Sequence, residues 1–134
     1  HTRYISVTGI QTCALPISVH DNHETTEIFW ATPRNALIQY WHGEIVLAPP
    51  QIMSLSHLCL FKSVAHVMTE AAQRKPTAIM PEPFDQDGMR VICYPGDPRH
   101  PVPQRAMPGP TRLQFRNKRF EPEGGLEALL HGPL

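Results

Sequence analysis

Residues 24–44 read ETTEIFWATPRNALIQYWHGE. The opening part, 24–31, is rich in Thr, Ile, Phe and Trp and predicts a strand. In it Thr26, Ile28 and Trp30 share one face, and Thr25, Glu27 and Phe29 share the other. Thr32 follows as an N-cap, and Pro33 suits the first helical position, where its missing N–H costs nothing. Ala36, Leu37, Tyr40 and Trp41 recur at helical spacing, and Gly43 is placed to end the helix. A strand joined through a cap to a helix is thus the clearest local unit.

Downstream, 44–48 is a short apolar connection. Pro49 forces extension on its neighbour and Pro50 opens a second helix, with Ile52, Met53, Leu55, Cys59 and Leu60 as its buried side. A break is expected near Lys62 and Ser63. Ser63 then caps a further helix to about Arg74, lined by Val64, Val67, Met68 and Ala71. One longer helix is the alternative, and Pro76 stops either. Most of the 15 prolines lie beyond Arg74, so short strands and extended loops should follow. Residues 77–84 read as an edge-type segment, 85–88 (DQDG) as a turn, and 89–94 (MRVICY) as a strand ended by Pro95-Gly96-Asp97-Pro98. A proline-rich loop spans 100–110, and 112–121 forms a small hairpin around Asn117 and Lys118. In the stretch 123–134 the patch Leu126, Leu129 and Leu130 is expected to fray.

The 12 basic and 12 acidic residues balance, so charge gives no reason to expect nucleic acid or an anionic membrane as partner. No apolar run reaches the roughly 18 residues that a membrane span needs. Cys59 and Cys93 are too far apart to suggest a disulfide framework or a metal site, and a reducing, cytoplasmic setting is the default.

Residues 1–18 (HTRYISVTGIQTCALPIS) resemble the in-frame translation of a sequencing-library adapter, with Ile10 where the adapter encodes Val. They are expected to be an artefact without structural meaning; a natural strand is the alternative.

His20-Asp21, Glu24-Thr25, Trp30, Thr32-Pro33, Ala36-Leu37, Gly43-Glu44 and Leu47-Ala48-Pro49-Pro50-Gln51 stand in an order that resembles one branch of the Nudix hydrolases. That branch includes peroxisomal coenzyme A diphosphatases and bacterial relatives. Tyr94-Pro95-Gly96-Asp97 is similar to a turn in the group's tail. The resemblance implies an α+β fragment of an α/β/α sandwich: strand–helix–helix, then a proline-rich β-hairpin tail. Residues 19–76 would be the C-terminal part of the Nudix domain, and 77–134 a family-type extension. The implied parent enzyme hydrolyses a small-molecule diphosphate, a nucleoside diphosphate derivative such as coenzyme A or acyl-CoA. Its cofactor would be Mg²⁺ or Mn²⁺, held by clustered carboxylates. The chain ends His131-Gly132-Pro133-Leu134, unlike a peroxisomal address, which favours the bacterial-type relatives.

The family's motif, G-x5-E-x7-R-E-U-x-E-E-x-G-U with U aliphatic, is not in this sequence. It has no Arg-Glu and no Glu-Glu pair. The motif is expected upstream of Val19, so no catalytic residue carries over, and the fragment should be inactive and bind no metal as cofactor. Glu24 and Glu27 are candidates for an extra metal contact in the parent; a solvated strand edge or a salt bridge is the other reading. Pro50 and Gln51, at a helix start, are candidates for substrate binding, where free N–H groups and the helix dipole favour an anion. A rigid turn that seats the helix is the alternative.

Other features carry plainer expectations. His20 and His23 lack further ligands for zinc, and His57 and His66 are expected as ordinary helix residues. The DQDG stretch lacks the later ligands of a calcium loop. Cys59 and Cys93 should be inert, Trp30 and Trp41 should belong to the core, and the basic 112–119 run should be a charged hairpin face. Two functions stay open: a partial diphosphate hydrolase, and a non-catalytic α+β binding or dimerisation module. Exposed faces that would meet a missing half predict poor solubility.

Overall fold

A computed structural model describes His23 and residues 28–134. Within them lie helices α1 (Pro33–Trp41), α2 (Pro49–Leu58) and α3 (Val64–Gln73), strands β1 (Glu82–Gln86), β2 (Met89–Cys93), β3 (Arg112–Arg116) and β4 (Arg119–Glu121), and helix α4 (Gly125–Leu130). The architecture is α+β, with one antiparallel sheet in the order β1-β2-β3-β4.

The helix boundaries follow local chemistry. Thr32 Oγ1 accepts from the Asn35 N–H at 3.1 Å, and Pro33 opens α1. Gly43 takes φ +76° just past the end, a conformation that suits glycine. Ser63 Oγ accepts from the His66 N–H at 3.2 Å, so the break before α3 falls where Ser63 predicts it. α2 starts one residue earlier than expected, at Pro49, and Ala48 is its extended cap.

Two tight turns set the sheet. Asp87 and Gly88 have φ of +53° and +77° and close the β1–β2 hairpin, in which Gln86 pairs with Met89. Asn117 and Lys118 have φ of +52° and +61° and close β3–β4. Left-handed residues at both turn positions match the twist of paired strands.

The core joins α1, α2 and α4 to the sheet. Leu37 and Tyr40 of α1, Ile52 and Met53 of α2, and Leu129 and Leu130 of α4 pack with Tyr94 and Leu113. It therefore draws on residues from both 19–76 and 77–134. Tyr40 Oη donates to the Phe120 carbonyl at 2.7 Å, and Arg119 reaches the Trp41 carbonyl at 3.0 Å, so β4 is tied to α1 twice.

Four expectations need correction. Residues 24–27 lie outside the described residues, and 28–31 run into the cap without strand pairing. Among the described residues the sheet's strands are all downstream and pair with one another, and 28–31 join no ladder there. Trp30 is 48% exposed and is not a core residue. Leu60 is exposed, because α2 has ended before it. Leu126, Leu129 and Leu130 are buried rather than frayed, since together they cover α1 and α2. Arg34 Nη2 donates to the Pro133 carbonyl at 2.6 Å and fastens the segment after α4.

Candidate functional site

The start of α2 carries Pro50 and Gln51. Pro49 and Pro50 occupy the first two helical positions and bring no N–H. Gln51 Oε1 accepts from the Ala48 N–H at 2.9 Å and caps the turn. The Ile52 N–H is bonded to the Ala48 carbonyl at 3.0 Å. This geometry builds a rigid seat for the helix and offers an anion few donors. Glu24 and Glu27 lie outside the described residues, as do His20 and Asp21. Among the described residues no three of His, Cys, Asp or Glu come together to hold a metal ion.

The middle of α2 meets the end of α4 through Ser56 and His131, a pair that sequence spacing did not announce. Ser56 is fully buried. Its Oγ donates to the Leu129 carbonyl at 2.7 Å. His131 Nε2 lies 3.2 Å from that Oγ and 3.0 Å from the Ser56 carbonyl. A carbonyl only accepts, so Nε2 carries the proton and is no base for the hydroxyl. Both features contradict an activated serine nucleophile, and the pair acts as a clamp. Gly109, at φ +94°, lies against it: a Cβ there would stand 3.2 Å from the His131 ring.

At the next residue, His57 faces Arg74, which caps the end of α3, with Arg74 Nη1 3.1 Å from Nε2. Burial chiefly, then the Arg74 and His131 charges, hold the His57 imidazole below its usual pKa. The groove beside it, about 490 Å³, is also lined by Leu60, Phe61, Glu70, Arg105 and Met107. His57 and His66 both lie against Phe61, with ring centroids 5.5 and 5.1 Å away.

The sheet holds paired charges. Arg112 grips buried Asp97 with Nε at 2.9 Å and Nη2 at 2.8 Å. The Arg112 hydrogen bonds hold the Asp97 carboxyl below the usual range against the opposing effect of burial. Arg116 and Arg119 pair with buried Glu121 at 2.7 and 2.8 Å. The basic run 112–119 thus spends three of its arginines on carboxylates. Asp85, from the DQDG stretch, pairs with Arg90 at 3.0 Å across the hairpin.

Burial raises both the Cys59 and the Cys93 thiol pKa, so neither is a ready thiolate. Tyr94 Oη is buried without a hydrogen-bond partner among the described residues, and burial pushes its phenol up to about 12. The chain matches no family model, no curated protein and no solved structure. Among the described residues no helix is long and apolar enough to cross a membrane.

Proposed function

We propose that this chain is the C-terminal part of a Nudix-type hydrolase of small-molecule diphosphates, a nucleoside diphosphate derivative such as a coenzyme A species. The observation that carries the reading is the ordered set from Trp30 to Gln51. Its support in the fold is that these residues have definite jobs there: Thr32 and Pro33 start α1, Gly43 ends it, and the Pro49-Pro50-Gln51 run starts α2. In such an enzyme this segment would seat the core, while an upstream carboxylate motif would hold Mg²⁺ or Mn²⁺. Three of the carboxylates downstream of Val19 are spent on other contacts. Asp97, Glu121 and Asp85 are each committed to arginine. Any contribution of Glu24 or Glu27 to the metal, or of Pro50 and Gln51 to substrate, belongs to the same proposal.

The alternative, a non-catalytic binding or dimerisation module, draws on the exposed apolar side chains of α3. The two part at the codon for Val19. Long reads of the source DNA with a different adapter should run upstream into the motif, and the continuous protein should cleave diphosphates with Mg²⁺. The present chain should stay at background. A genome that encodes residues 1–18, or a start codon near Val19 with no motif, overturns the hydrolase reading.

A further inference from the structure

The groove beside α2 and α3 is an open surface depression of about 490 Å³. Leu60, Phe61 and Met107 give it apolar walls, and Arg74 and Arg105 bring two guanidinium groups. In the sheet, Arg90, Arg112, Arg116 and Arg119 all pair with carboxylates. Among the described residues the groove arginines pair with no carboxylate: Arg74 donates to the His57 ring nitrogen at 3.1 Å, and Arg105 donates to the Gly109 carbonyl at 2.9 Å. Glu70 stands one helical turn before Arg74 without forming an ion pair with it. Arg74 donates to Nε2, so the neutral ring keeps its proton on Nδ1.

We propose that this groove binds an organic phosphate, its phosphate held by Arg74 and Arg105 and a flat apolar body resting on Phe61 and Met107. A carboxylate is satisfied by one guanidinium fork, whereas two separate guanidinium groups suit the three oxygens of a phosphate monoester. Glu70 offsets part of the positive charge, so a bare anion gains little and the apolar walls supply much of the affinity. The inference stands on the groove alone and holds whatever lies upstream of Val19.

The test is calorimetric titration of the full chain, without metal, using phenyl phosphate, inorganic phosphate and benzoate. Phenyl phosphate should bind saturably, and the other two about tenfold more weakly. Arg74→Gln and Arg105→Gln should each weaken phenyl phosphate about tenfold and leave the melting midpoint in place, since both side chains are exposed. Glu70→Gln should tighten it. Absence of saturable phenyl phosphate binding overturns the proposal. So does binding that both arginine variants retain, or equal affinity for benzoate or inorganic phosphate.

Discussion

Asp97 is 3% exposed and Arg112 covers it with two parallel contacts, while Asp97 Oδ1 also accepts from the Arg99 N–H at 2.8 Å. Arg112→Ala would leave a buried carboxylate without its cation. The expected cost is about 3 kcal/mol, read as a drop in the urea midpoint at neutral pH. A loss near zero would mean that water replaces the guanidinium. His57 gives a pH signature. Its folded pKa lies below the ordinary 6.5, so the unfolded chain binds the proton more readily. Its contribution to stability is complete above 6.5 and declines as pH falls from there toward the depressed folded value. His57→Gln should flatten that part of the stability–pH curve; an unchanged slope would assign it to other groups. None of these pairings was legible in sequence. Asp97 was visible only as part of a Pro-Gly-Asp-Pro stop, and Arg112 stands 15 residues on, at the start of β3. Tertiary packing chooses such partners, and no local spacing encodes them.

Elements divide by how local their causes are. Thr32, Ser63, Gly43 and the two hairpin turns act within a few residues, and each was readable before the fold was known. α4 is the opposite case. A short run with three leucines has little helical stability of its own, and burial against α1 and α2 decides its state. Leu129→Ala should therefore cost about 2–5 kcal/mol and raise hydrogen exchange in α1 as well as α4. Exchange that rises in α4 alone would show a helix that frays independently. α3 carries an apolar stripe as regular as any in the chain, yet none of its residues is buried. Periodicity gives the face a helix offers and leaves unsaid what, if anything, covers it. The candidate groove was likewise illegible: its walls come from α2, α3 and the proline-rich loop, and no motif links them.

Across the whole molecule, apolar surface is left over. Val64 and Met68 of α3 are 46% and 50% exposed, and Ile28 and Trp30 add to the total. Concentration-dependent association is the expected result. Val64→Glu with Met68→Glu should reduce it in light scattering while leaving the melting midpoint nearly unchanged. Association that persists in the double variant would move the sticky surface elsewhere, with Trp30 the next residue to change. The sheet is a simple meander whose neighbours are consecutive in sequence, and both of its hairpins can form as soon as their own residues are available. The helical side is different. α1 and α2 wait for α4, and Arg34 waits for the Pro133 carbonyl almost a hundred positions later. During synthesis at roughly 5–20 residues per second, Leu37 and Ile52 would leave the ribosome seconds before the leucines that shield them. A chaperone that grips greasy nascent chains would find its longest opportunity in that interval.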